Sequence, residues 1–289
     1  MEGKRSSTET LQESFFSHEH VTVIEPAKGW RTLDFKELWA YRELFWVLTL
    51  RDIKVRYKQT VLGVAWAVLQ PVLTMLIFTV VFGGLAKIPS DGYPYAIFVF
   101  TALLPWTFFA NAVSTSSTSL ITASNMVSKI YFPRLIIPLS SIGAGLVDLA
   151  ISTVVLFALM IWFGVGWSLN LLLIPVLLAV VIFTALGVGT LLSALTVAYR
   201  DFRFVVPFMV QIWMYATPVV YPVSLVPEKW QWVLFLNPMT GVIEAFRSAF
   251  LDRPFDLPSI GISLLMSVLI FICGIAYFER VERRFADII

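Results

Sequence analysis

Long apolar runs alternate with short polar connections along most of the chain, and the sharpest boundary follows Lys58. Arg51, Lys54, Arg56 and Lys58 give way without a linker to Val61–Leu85, which holds no ionisable residue. At about 1.5 Å per residue such a helix exceeds the roughly 30 Å hydrocarbon layer of a bilayer. Further apolar runs at Tyr93–Val113, Ile136–Phe163, Leu169–Val197, Phe204–Tyr221 and Ser259–Phe278 bring the expected crossings to six. Basic residues just outside a span hold that end in the cytoplasm, so the first run starts inside and both termini are cytoplasmic. The loops Ser114–Leu135 and Ala198–Arg203 then face inward. With the C-terminal tail they carry Lys129, Arg134, Arg200, Arg203, Arg280, Arg283 and Arg284, against Lys87, Lys229, Arg247 and Arg253 outside.

Asp34–Leu50 predicts a helix ahead of the first span. Asp34 can cap it, Leu38, Tyr41, Phe45 and Leu48 recur at helical spacing, and Lys36, Glu37, Arg42 and Glu43 occupy the other side. Such a helix lies in the cytoplasmic interface, as an anchor alone or also as a docking surface for a partner. Val223–Pro258 is aromatic and sparsely charged. Pro227 can open one short helix with Trp230 and Trp232, Asn237-Pro238 breaks it, and Thr240 can cap a second with Ile243, Phe246 and Phe250. The pair reads as re-entrant helices near the outer leaflet, or as a folded loop on the headgroups. The fold class is an all-α integral membrane protein: a polar tail at 1–33, an amphipathic interface helix at 34–50, and a transmembrane domain at 51–289 with two short re-entrant helices before its last span.

Composition agrees: 58% of the 289 residues are hydrophobic and 14% charged, and mean hydropathy is +0.82. A net charge of +2 gives no basis for nucleic-acid binding. Residues 1–20 are polar without periodicity, and Val21–Ile24 can form a short strand. His18 and His20 sit in that tail without further ligands nearby, so no metal site is expected. Cys273 has no partner cysteine and reads as an apolar packing residue. No phosphate-cradling Gly-rich loop, His-Glu-x-x-His pair or Gly-x-Ser-x-Gly elbow occurs, which argues against nucleotide hydrolysis, metalloenzyme or hydrolase chemistry in this chain.

What remains is polar chemistry inside apolar helices. Asp148 is the one carboxylate deep in a span, suited to a hydrogen bond with a neighbouring helix or to a proton relay. Glu244 and Arg247, three apart, can pair on one helix face as structural pins or as a gate contact. The first span carries Gly63, Trp66, Gln70 and Thr74 on one face, and the fifth carries Phe204, Phe208, Gln211 and Tyr215. Lipid has no use for amides, so these faces meet protein or line a conduit, where aromatic rings stack on sugar faces and amides bond hydroxyls. Ordinary helix packing is the alternative.

The stretches "RDIKVRYKQTVLGVAWAVLQP", "WTFFANAV", "MVSKIYFPR", "AYRDFR", "ATPVVYP" and "LNPMTGVIEAFR" resemble the permease subunits of ABC-2 type polysaccharide exporters of the O-antigen or teichoic-acid kind. The resemblance covers nearly everything from Val21 onward. It implies a homodimer in the bacterial plasma membrane with a sugar-polymer channel between its copies. It also implies two separate ATPase subunits holding ATP and Mg, and a cargo of lipid-linked polysaccharide. Glu37, Arg42, Lys129, Tyr131, Phe132 and Arg134 would contact the ATPase, and Trp230, Trp232, Glu244 and Arg247 would form the outer gate. A drug or lipid exporter of the same architecture, or a membrane enzyme or scaffold acting on a lipid-linked glycan, are the alternatives.

Overall fold

Hydrophobic runs that long, bounded by proline, glycine and polar residues, fold as helices because only a helix satisfies its own backbone in lipid. The computed structural model describes residues 35–58, 63–282 and 285, all within the unit Phe35–Ile289, and they contain no strand. In chain order the helices are α1 (Phe35–Ala40), α2 (Arg42–Lys58), α3 (Gly63–Phe78, continued by a π-helical turn at Thr79–Leu85), α4 (Tyr95–Thr122), α5 (Ser124–Val127) and α6 (Ile136–Phe163). They continue with α7 (Ile174–Ala198, entered through a 3-10 turn at Leu169–Leu173), α8 (Phe202–Ala216), α9 (Glu228–Phe235), α10 (Pro238–Phe250) and α11 (Leu257–Glu282). The tail with His18 and His20, the strand at Val21–Ile24, the Asp34 cap, and Arg283 and Arg284 lie outside the described residues.

Among the described residues five helices are long and apolar enough to cross a bilayer: Ala65–Leu85, Tyr95–Thr122, Ile136–Phe163, Leu169–Ala198 and Leu257–Glu282. The run expected at Phe204–Tyr221 is shorter than the sequence suggests. Its helix, α8, ends at Ala216, and at 15 residues it is about 22 Å long against a roughly 30 Å hydrocarbon layer. Pro218 is the cause, since it drives the preceding Thr217 to extended backbone at φ −103° and ψ 140°.

Other boundaries move for equally local reasons. The second span was expected to end at Val113, yet α4 runs on to Thr122 through a hydroxyl-rich stretch. Thr115 and Ser117 donate to the carbonyls of Asn111 and Ser114 at 2.8 and 2.7 Å, and Ser119 and Thr122 to those of Ser116 and Thr118 at 2.7 and 3.0 Å. Hydroxyls satisfied in this way let a polar sequence stay helical. The interface helix does not stop at Leu50. α2 carries the basic run to Lys58, with no Gly or Pro to end it. In the outer segment the cap of α10 is Asn237, whose Oδ1 accepts from the Met239 amide at 3.1 Å, rather than Thr240.

α4 is the central helix, buried along most of its apolar length and packed by α6, α7, α8 and α10. α11 closes on α7 at a glycine contact: a Cβ on Gly274 would lie 2.1 Å from the Gly187 carbonyl oxygen, and one on Gly187 would lie 2.6 Å from the Phe271 Cα. Small residues allow that approach, and Thr184 Oγ1 adds a 2.8 Å bond to Ser267 Oγ across it. Every α10 residue except Glu244 is buried, so this helix sits among the long helices, whereas α9 has no buried residue.

The Gly187–Gly274 contact gives a direct test. Gly274→Leu is expected to destabilise the purified protein by about 1–3 kcal/mol through overpacking against backbone, read as a lowered midpoint in a detergent thermal-stability assay. Leu265→Ala on the exposed face of the same helix is expected to leave the midpoint nearly unchanged.

Candidate functional site

The two polar–aromatic stripes are on open surface. On α3, Trp66 (52% exposed) and Gln70 are exposed, and Thr74 is half-buried with its hydroxyl held by the Gln70 carbonyl at 2.9 Å. On α8, Phe204, Phe208, Gln211 and Tyr215 are all exposed, while Val206 and Val210 turn inward against α4. Phe109 of α4 meets Trp213 edge-on at 5.2 Å and fixes that orientation. Neither glutamine side chain has a hydrogen-bond partner among the described residues. Leaving such amides in hydrocarbon would cost several kcal/mol, roughly, for each. Both faces therefore require water, a polar ligand or another protein surface.

The end of α8 is clamped from beneath. Arg247, 0% exposed, donates through Nη1 to Glu244 Oε1 at 2.6 Å and to the Tyr221 carbonyl at 3.4 Å, and through Nη2 to the Val219 carbonyl at 2.9 Å. Its guanidinium carbon lies 3.8 Å from the Phe98 ring centre. Tyr95 donates to the Val220 carbonyl at 2.5 Å, while Asn237 accepts from Trp213 Nε1 at 3.0 Å and donates to Thr217 Oγ1 at 2.8 Å. Glu244 and Arg247 thus pair on one helix face, and Arg247 is a core cation rather than an outer-loop charge. Trp230 and Trp232 of α9 are exposed, whereas Gln231 between them turns back to the Val226 carbonyl at 2.9 Å.

On the side of α6 nearer its N-terminus, Asp148 accepts hydrogen bonds from both Arg56 and Tyr57 of α2. Burial, then the bond to Asp148, pushes the Tyr57 hydroxyl up to about 12, so it stays a donor across physiological pH. The carboxylate is anchored by a cation and a phenol, which favours the helix-tying role over a proton relay. Phe45 and Thr49 of α2 rest against Gly143 of α6, whose Cβ would meet both at 3.3 Å. A cavity of about 20 Å³ beside Asp148 is lined by Thr107, Asn111 and Ser152 among others, large enough for one water.

The residues expected to couple to an ATPase divide in two. Glu37 is half-buried, and Arg42, Lys129 and Tyr131 are exposed. Phe132 is buried, and Arg134 is bound to the end of α11, its amide donating to Glu282 Oε1 at 3.2 Å and its guanidinium to the Glu282 carbonyl. Sequence reasoning missed Arg56 and Tyr57 as partners of Asp148, and Asn237 and Tyr95 as clamps. Only the charge of Asp148 in an apolar run pointed to the first group, and nothing local pointed to the second.

Residues 43–251 match the ABC-2 type transporter family, and the chain belongs to it. It is 30% identical over 249 residues, 86% of this chain and 95% of the relative, to the O-antigen export system permease protein RfbA of Klebsiella pneumoniae. Its identity to the Myxococcus xanthus protein of the same name is 27% over 256 residues, covering 87% of this chain and 97% of that one. The polysialic acid transport protein KpsM of Escherichia coli is 23% identical over 207 residues, 70% of this chain and 79% of that protein.

The Arg56–Asp148 pair is testable by a double-mutant cycle. Arg56→Gln and Asp148→Asn are each expected to lower stability by about 1–3 kcal/mol, because each strands a part-buried charge, while the double variant loses less than their sum. Thermal midpoints of the four proteins in detergent measure the coupling, and additive losses would show no coupling between these side chains.

Proposed function

We propose that the chain is the permease subunit of an ABC exporter that carries a polysaccharide across the bacterial inner membrane. The cargo is lipid-linked and of O-antigen, capsule or teichoic-acid type. The relatives' names support the polysaccharide class. The observation that carries the reading is the pair of exposed amide and aromatic faces, Trp66 and Gln70 on α3 with Phe208, Gln211 and Tyr215 on α8. A second copy set against these faces would enclose a path whose amides bond sugar hydroxyls and whose rings stack on sugar faces.

In this reading 34–50 is the interface segment and 51–289 the transmembrane domain, with both termini cytoplasmic. α8 and the segment clamped after it make the sixth crossing, and α9 and α10 are the re-entrant pair at the outer mouth. Trp230 and Trp232 serve as the outer gate above the Glu244–Arg247 pin. Two ATPase subunits bind ATP and Mg and dock at the cytoplasmic side, where Arg42, Lys129 and Tyr131 are exposed and Glu37 is half-buried. Phe132 and Arg134 hold that loop in shape.

Two measurements test the proposal. Trp66→Ala and Tyr215→Ala are expected to reduce polymer export several-fold while the assembled complex survives purification, and Gln70→Cys in a Cys273→Ser background is expected to react with a water-soluble thiol reagent. Normal export in both alanine variants together with an unreactive Gln70→Cys would move the path elsewhere. For coupling, Lys129→Ala and Tyr131→Ala are expected to weaken co-purification of the ATPase or to uncouple hydrolysis from export without loss of membrane insertion. Unchanged assembly and export in both would remove that loop from the contact.

A further inference from the structure

The chain between α8 and α10 is fixed at two points, with a loosely held segment between them. Arg247 fixes the first point, donating to the Val219 carbonyl at 2.9 Å and to that of Tyr221 at 3.4 Å. Asn237 is the second, bonded to Trp213 at 3.0 Å and to Thr217 at 2.8 Å. Residues 222–236, which include α9, run from one to the other. None of their apolar side chains joins the main buried cluster or packs against it, and Gln231 bonds only within the segment. Among the described residues one hydrogen bond links this segment to another part of the molecule, from Ser224 Oγ to Asp91 Oδ1 at 3.0 Å.

Asp91 is held ready to accept it. It lies between α3 and α4 at a φ of +51°, followed by Gly92 at +89°, and a left-handed backbone at a residue with a Cβ persists only where its surroundings enforce it. Here the loop after α10 does so: Arg253 Nη2 donates to Asp91 Oδ2 at 2.8 Å, and the Leu251 carbonyl accepts from Tyr93 at 2.8 Å. Asp252 of the same loop, at a φ of +53°, accepts from Ser168 and Asn170 at 2.6 and 3.1 Å, which adds the entry to α7. These connections and the buried α10 form one frame. The segment joined to that frame by a single hydroxyl is the one that carries exposed Trp230 and Trp232.

We infer that Asp91 is the positioning residue of the outer gate: its carboxylate, oriented by Arg253, latches the α9 segment through Ser224, and α9 swings from a stationary α10 when that bond opens. The inference rests on the reading of Trp230 and Trp232 as that gate. A hydrogen bond at an exposed site exchanges with water at small net cost, so this latch can open in every transport cycle. The contacts of buried Arg247 cannot, because opening them strands a charge in the core.

The experiment places a nitroxide on Lys229→Cys, which reports α9, or on Asp256→Cys, which reports the frame, in full-length Cys273→Ser protein in nanodiscs. Asp91→Ala and Ser224→Ala are each expected to raise the ratio of mobile to immobile signal at the Lys229 site about fivefold, with the Asp256 site unchanged. Ser224→Thr keeps the hydroxyl and the native spectrum, and Asp252→Ala leaves the Lys229 site as it was. In the assembled exporter, joining Asp91→Cys to Ser224→Cys with a short reducible bis-thiol reagent is expected to stop polymer export, and dithiothreitol to restore it. The inference is overturned if both alanine variants leave the Lys229 site immobile, if Asp252→Ala frees it equally, if the Asp256 site loosens with it, or if the joined protein exports at the native rate. Failure of the native complex to export a polymer would overturn the permease reading, whereas the labels judge the latch with no cargo present.

Discussion

The buried guanidinium of Arg247 is the constraint on which the outer half of the molecule depends. Pro218 ends α8, and the next helical turn begins only at Val223 after Pro222, so the carbonyls of Val219, Val220 and Tyr221 lie between helices without helical donors. Carbonyls left unpaired in an apolar interior are costly. Arg247 supplies two of the missing bonds and Tyr95 the third. A cation in that position would itself be prohibitive without Glu244 at 2.6 Å and the face of Phe98. Each side of the arrangement exists because of the other, and removing either strands a buried polar group.

The consequence reaches the candidate conduit. α8 is short, and nothing in its own composition fixes which way its aromatic face points. Val206 and Val210 set it against α4, Trp213 bonds to Asn237, and the segment just beyond Ala216 is tied to α4 and α10. Phe208, Gln211 and Tyr215 are thereby presented outward by a frame that is rigid behind them. At the α2 end, Arg56 and Tyr57 do the equivalent for α2 by holding it to Asp148 of α6.

Hydrophobic runs made the long helices legible, because span length and composition are local properties. The stripes were legible too, since Trp66 and Gln70, or Phe208 and Gln211, fall at helical spacing. The end of α4 was not legible, because a run such as Ser114–Ser119 reads as a loop until its hydroxyls are seen bonding their own helix. The end of α8 turned on one proline acting on one threonine. Arg56 with Asp148 and Arg247 with Val219 were out of reach for a different reason. Each charge was visible, but a partner 92 residues away or a backbone carbonyl leaves no periodic trace.

The proposed path also has to bind without holding. Aromatic contacts contribute on the order of 1 kcal/mol each, roughly, and a hydrogen bond exchanged between water and a protein amide nets about the same. An exposed Gln70 or Gln211 can pass from one hydroxyl to the next at little net cost, whereas a fixed cation in its place would retain anionic sugars and a fixed carboxylate would repel them. In the described structure the strong interactions of Arg247 and Asp148 hold helices together, and the faces of the proposed conduit carry weak, exchangeable groups. That division suits a polymer that must advance one residue after another, because the frame stays fixed while no single contact along the path is strong enough to arrest it.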